Sequence, residues 1–178
     1  MLEVLIADDE PETRDLLSDF CRSLGLGVAS AGDGRAAIAA IERAPTQFAV
    51  VLTDVNMPGA DGFEVLRAAR AANASCYVVI ITGYATLDSA VRAVREGAYD
   101  YLAKPFALGQ LEIVLTRIRD RMALERENRE LTRQIQAAQS GAARGVASGP
   151  DLAWRLASIE ERLARIEDLL QEQMAKRR

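Results

Sequence analysis

Five times between residues 2 and 105, a short apolar run gives way to a stretch whose apolar residues recur at helical spacing. The runs fall at residues 2–7, 28–31, 48–53, 77–81 and 99–103. Two of them, Phe48-Ala-Val-Val-Leu-Thr and Tyr77-Val-Val-Ile-Ile, show no polar alternation, so they need cover on both faces. Strands that alternate with helices at this spacing predict βαβ units and a parallel sheet. Right-handed crossovers then put helices on both sides. Ligands of such sheets bind beyond the carboxyl ends of the strands, near the topological switch point.

The punctuation between the runs agrees. Pro11 stands in a first helical turn, where its missing N–H is harmless. Leu16, Leu17, Phe20, Cys21 and Leu24 follow at helical spacing until Gly25. Asp33 caps a helix carrying Ala37, Ile38 and Ile41, and Asp61 with Glu64 forms a capping pair for the next. Thr86 starts a fourth helix through Ala90, Val91 and Val94, ending near Gly97.

The run at 48–53 delivers one carboxylate, Asp54, before Met57-Pro58-Gly59 turns the chain away. A carboxylate there is poor packing material and needs a cation, a hydrogen-bond network or a chemical task. Asp8, Asp9, Thr82 and Lys104 also fall at strand ends. Three carboxylates crowded together repel unless a hard cation joins them. Mg²⁺ suits such a set, taking a few carboxylate oxygens, a backbone carbonyl and waters. The backbone carbonyl of Asn56 is placed to contribute. Lys104 adds a fixed ammonium and Thr82 a hydroxyl donor. Metal, ammonium and hydroxyl around one carboxylate are what phosphoryl transfer to that carboxylate requires. The chain holds 22 Lys/Arg but only two lysines, Lys104 and Lys176, so Lys104 reads as a chosen point charge. Asp8 and Asp9 capping the first helix, Asp54 as a structural ligand and Tyr101 as a half-buried strand tyrosine are the plainer alternatives. Tyr84 either borders the site or is a surface ring.

Composition removes other classes. The chain has no histidine, which excludes histidine acid–base catalysis, histidine metal ligands and a phosphohistidine on this chain. Residues 1–105 hold 9 Lys/Arg against 15 Asp/Glu, and residues 106–178 hold 13 against 11. Neither part has a nucleic-acid binder's basic excess. Cys21 and Cys76 lack metal spacing and read as small core residues of a reduced, cytoplasmic protein. No signal peptide or membrane-spanning run is expected.

With Asp8-Asp9, Asp54, Met57-Pro58-Gly59, Gly62, Thr82-Gly83, Tyr101 and Lys104-Pro105 in order, residues 1–120 resemble the receiver domain of two-component response regulators. The resemblance implies a CheY-like, flavodoxin-like (βα)5 fold with strand order 2-1-3-4-5. It implies an acyl phosphate on Asp54, donated by a sensor histidine kinase or a phosphotransfer protein, with Mg²⁺ at Asp8 or Asp9. It also implies Thr82 and Tyr101 as a switch pair, and a cis Lys104–Pro105 bond. The wording Ile-Thr-Gly-Tyr-Ala-Thr and Asp-Tyr-Leu-Ala-Lys-Pro-Phe is most similar to receivers of NtrC-type regulators.

Beyond residue 106 nothing resembles a helix-turn-helix, an ATPase or a cyclase. Residues 106–136 read as an extended fifth helix and coiled-coil linker, and residues 137–150 as a flexible Ala/Gly/Ser-rich linker. Residues 151–178 read as a coiled-coil helix with the seam Leu152, Leu156, Ile159, Leu163, Ile166 and Leu170. Arg155 and Arg162 at g positions face Glu160 and Glu167 at e positions in a parallel pair, which predicts parallel self-association. A fold-back helix or a docking site for another protein is the alternative.

The function expected is a cytoplasmic receiver whose output is assembly or contact with a downstream protein, with no nucleic acid or membrane partner. A constitutive coiled-coil scaffold with a vestigial receiver is the first rival. A transcriptional regulator without a visible recognition helix is the second. An aspartate-nucleophile phosphohydrolase would carry a second Asp two residues after the first, where this chain has Asn56.

Overall fold

The computed structural model describes residues 2–142. Five strands, β1 (Glu3–Ala7), β2 (Gly27–Ala31), β3 (Phe48–Thr53), β4 (Tyr77–Thr82) and β5 (Asp100–Ala103), alternate with five helices. These are α1 (Pro11–Ser23), α2 (Gly34–Arg43), α3 (Gly62–Ala72), α4 (Leu87–Arg95) and α5 (Leu108–Ala142). All strand pairings are parallel, in the order β2-β1-β3-β4-β5. This is the flavodoxin-like α/β arrangement, with the order reversing between β1 and β3.

Local chemistry sets the element ends. Pro11 is the first residue of α1, and Gly25 closes it with a φ of 75° that other residues resist. The Asp33 carboxylate accepts from the Ala36 amide. Asp61 and Glu64 form a complete capping box at α3. One sheet face is covered by α2, α3 and α4, burying Leu5, Val51, Val78 and Ile80 with Ala37, Ile41, Phe63, Leu66 and Ala93. The pleat turns the alternate residues Val4, Ile6, Val50, Leu52, Val79 and Ile81, all buried, to the other side. Leu17 and Cys21 of α1 and Leu111, Leu115 and Ile118 of α5 are buried as well.

Residues up to Ile118 form one compact unit and those from Arg119 a second. In the second, α5 is mostly solvent-exposed and carries the intrahelical pair Arg121–Glu125 at 3.3 Å, with Leu131 buried. The helix continues to Ala142, six residues into the stretch whose composition reads as a linker. The coiled-coil expectation for residues 151–178, including Leu152, Leu156, Ile159, Leu163, Ile166 and Leu170, lies outside the described residues, as does the linker from residue 143. No described helix is long and apolar enough to cross a membrane.

Candidate functional site

The strand register assembles the site. Ala7 lies opposite Thr53, so the next residues, Asp8 and Asp54, stand side by side at the switch point. The Asp54 amide donates to the Ala7 carbonyl at 2.8 Å. Thr82 lies opposite Ala103, and the Lys104 amide donates to the Thr82 carbonyl at 2.8 Å. These bonds aim the first residue after β5 back across the sheet. The Lys104–Pro105 bond is cis.

The Lys104 ammonium lies 2.8 Å from Asp8 Oδ2, 3.4 Å from Asp54 Oδ1 and 3.5 Å from Glu10 Oε2. Asp8 and Asp54 are buried, at 1% and 6% exposure, so their charges are weakly screened. Asp8 Oδ1 accepts from the Glu10 amide, and the Arg14 guanidinium donates to the Asp8 carbonyl at 2.8 Å. Asp54 Oδ2 accepts from the Asn56 amide at 2.6 Å.

Burial raises the Asp54 carboxyl above its ordinary range; Lys104 and the Asn56 amide oppose this, and the Asp8 charge adds to it. For Lys104, burial acts to lower the pKa, but the hydrogen bond to Asp8 and the charges of Asp8, Asp54 and Glu10 raise it on balance. Glu10 is held low by the Thr13 hydroxyl and by Lys104. One ammonium thus serves two buried carboxylates and an exposed third.

That surplus of negative oxygen is a donor set for a hard cation. Asp9 is exposed at the rim. Among the described residues no group of three or more His, Cys, Asp or Glu side chains is arranged to hold a metal. Mg²⁺ needs fewer, since one or two carboxylates, a carbonyl and retained waters complete its shell. The residues present therefore fit it.

Thr82 is fully buried, and its hydroxyl accepts from the Tyr84 amide at 3.2 Å. The Tyr84 ring is 77% exposed, a surface ring. Tyr101 packs partly against the core and places its hydroxyl 2.7 Å from Ser89 Oγ on α4. Asp8, Asp54 and Lys104 thus meet directly, while Thr82 is engaged by the segment leading into α4 and Tyr101 by Ser89 in its first turn. Sequence reasoning gave no part to Glu10, Arg14 or Ser89. The available signal for the last was the Thr86–Ser89 spacing, that of the helix cap the structure shows.

Residues 4–116 match the family model of the response regulator receiver domain. Over 139 residues the chain is 32% identical to the C4-dicarboxylate transport transcriptional regulatory protein DctD of Rhizobium meliloti, covering 78% of this chain and 30% of that one. It is 38% identical over 129 residues to DctD of Pseudomonas aeruginosa, covering 72% and 28%. The chain therefore spans less than a third of the length of these relatives. A response regulator receiver domain protein from Clostridium thermocellum superposes with a TM-score of 0.65 at 28% identity, over 70% of this chain and 98% of that one. The chemotaxis protein CheY4 of Vibrio cholerae gives 0.61 at 32% identity, over 66% and 98%.

Proposed function

Because the chain belongs to the response regulator receiver family through residues 4–116, we propose that Asp54 is its phosphoacceptor. The donor is the phosphohistidine of a sensor histidine kinase or of a phosphotransfer protein. A carboxylate oxygen of Asp54 attacks phosphorus, the phosphorus–nitrogen bond breaks, and the imidazole leaves. The observation that carries this reading is a buried aspartate at the end of the central strand, 3.4 Å from the Lys104 ammonium.

Asp8, Asp9 and Asp54, with the Asn56 carbonyl, are the residues that would hold Mg²⁺. Bound there, the ion would supply positive charge against that developing on the transferred group. Lys104 supplies a fixed charge for the phosphoryl oxygens, and the Thr82 hydroxyl one donor. Thr82 and Tyr101 act as the switch pair, and the protein accepts a phosphoryl group rather than turning over a substrate. We place it in the cytoplasm.

The test is intact mass spectrometry of the full chain after incubation with a phosphorylated kinase or a small acyl phosphate. A Mg²⁺-dependent, hydroxylamine-labile phosphate on the wild type and none on Asp54→Ala is the expected result. Phosphate retained by Asp54→Ala refutes the assignment.

For output we propose self-association through Leu152, Leu156, Ile159, Leu163, Ile166 and Leu170, or contact of the same helix with a downstream protein. Light scattering with Mg²⁺, with and without beryllofluoride, beside a chain ending at Gly149, tests it. A number of chains per particle unchanged by removing residues 150–178 refutes self-association there. The names of the relatives, transcriptional regulatory proteins, favour a second reading in which this receiver serves a transcriptional output. A DNA shift assay at moderate salt separates the two.

A further inference from the structure

Helix α4 has the smallest buried share of the four helices that precede β5. It buries only Ala93, while Leu87, Val91 and Val94 are exposed. Polar contacts at its two ends therefore set its position. At the carboxyl end, Glu96 accepts from Arg67 of α3 and from Arg92, each at 2.7 Å, and Arg92 lies 3.9 Å over the Phe63 ring. At the amino end the contacts converge on one atom. Ser89 Oγ lies 3.0 Å from the Thr86 amide, 2.9 Å from the Thr86 carbonyl, 3.0 Å from Thr86 Oγ1 and 2.7 Å from the Tyr101 hydroxyl.

A serine hydroxyl has one proton and two lone pairs. Three of these four contacts can hold at once, and the fourth must yield. Donation to the Thr86 carbonyl leaves two acceptor sites for three candidate donors: the Thr86 amide, the Thr86 hydroxyl and the Tyr101 hydroxyl. The helix cap and the β5 tyrosine thus compete for a single oxygen. Thr82 lies on the same path, since its hydroxyl accepts from the Tyr84 amide two residues before the cap.

We propose that Ser89 is a positioning residue that couples the Tyr101 side chain to the first turn of α4. Release of the Tyr101 hydroxyl and reorganisation of the cap are then one event. This deepens the phosphoacceptor reading and rests on it for the use of the coupling. Any movement of Tyr101 that follows chemistry at Asp54 reaches α4, and its outward apolar residues, through Ser89.

The test is a double-mutant cycle in the full chain: Tyr101→Phe, Ser89→Ala and both together, with Ser89→Thr as the conservative variant. Tyr101→Phe keeps the ring and leaves the cap residues untouched. The first readout is native-state amide hydrogen exchange at Ala90 and Val91 in the unmodified protein. Tyr101→Phe frees Ser89 Oγ for the cap donors and is expected to slow it about 2- to 12-fold, the range of one net hydrogen bond. It should do so in the wild-type and Ser89→Thr backgrounds and have no effect in Ser89→Ala. The second readout is the affinity for beryllofluoride with Mg²⁺, where the same pattern should appear. An effect of Tyr101→Phe that is equal with and without Ser89, or absent from both, overturns the coupling. Wild-type protein that fails to bind beryllofluoride overturns the phosphoacceptor reading instead, and the exchange cycle still decides the role of Ser89.

Discussion

Gly62 is the position where one added carbon should do most harm to the chemistry. It opens α3, and its amide donates to the Val55 carbonyl at 2.9 Å. A Cβ built there falls onto the Asp54 carbonyl oxygen, with the Asp54 carbonyl carbon at 2.9 Å and Val55 Cα at 3.0 Å. Carbon atoms rest about 3.5–4.0 Å apart, so the two backbones must separate by about 0.6–1 Å. Neither can yield easily. Helix α3 is held by its capping box and by buried Phe63, Val65 and Leu66, and Asp54 is hydrogen-bonded to β1. Gly62→Ala should therefore destabilise the domain by about 1–3 kcal/mol, as overpacking does, lowering Tm by about 3–12 °C. It should also slow phosphorylation of Asp54 by up to about 100-fold, because the acceptor is displaced by nearly an ångström from its partners. The assay is the initial rate of acyl phosphate formation at saturating Mg²⁺, beside a thermal melt. Gly109→Ala is the control: a Cβ there, in the first turn of α5, meets nothing within 4 Å. Wild-type phosphorylation and an unchanged melt in Gly62→Ala would refute the reasoning, as would equal losses in Gly109→Ala.

Other changes have equally definite outcomes. Asp54 has a raised pKa, so the folded state holds its proton more tightly than the unfolded chain, and that stability is lost as pH rises through the folded pKa. Asp54→Asn should accordingly melt higher than the wild type at neutral pH, by about 2–8 °C for a gain of about 1 kcal/mol. Melts repeated towards pH 3 should show the advantage vanish. Adding Mg²⁺ should raise the Tm of the wild type and leave that of Asp54→Asn nearly unchanged, which a titration would show. Lys104→Met leaves buried Asp8 and Asp54 without their counter-charge and should lose up to about 3 kcal/mol by denaturant titration. Mg²⁺ should restore part of it. Burial pushes the Cys21 and Cys76 thiols up to about 11, so a thiol reagent at pH 8 should label them only at the rate of unfolding.

Much of this was legible from residue order. The strands are short apolar runs, and the caps at Asp33 and Asp61 depend on neighbours within four residues, so local patterns located them. The meeting of Asp8, Asp54 and Lys104 could be read because each directly follows a strand, and a parallel sheet aligns strand ends. Ser89 was missed because its bond to Tyr101 depends on how α4 sits against β5, which no periodicity encodes. Glu10 and Arg14 were missed for a related reason, since their partners are set by the first turn of α1 folding over the strand ends. Helix α5 outran its expected end because Ala and Gln at residues 136–139 propagate a helix already under way.

The bond from Lys104 to Asp8 joins residues 96 positions apart in the chain. Such a contact forms only after the loop between them has closed, among the slowest steps in assembling a sheet. A chain halted on the ribosome before β5 emerges carries Asp8 and Asp54 but no Lys104 ammonium to offset their charge. On the proposed phosphoacceptor reading, competence to accept a phosphoryl group therefore waits until residue 104 has been made, and a copy halted earlier stays silent.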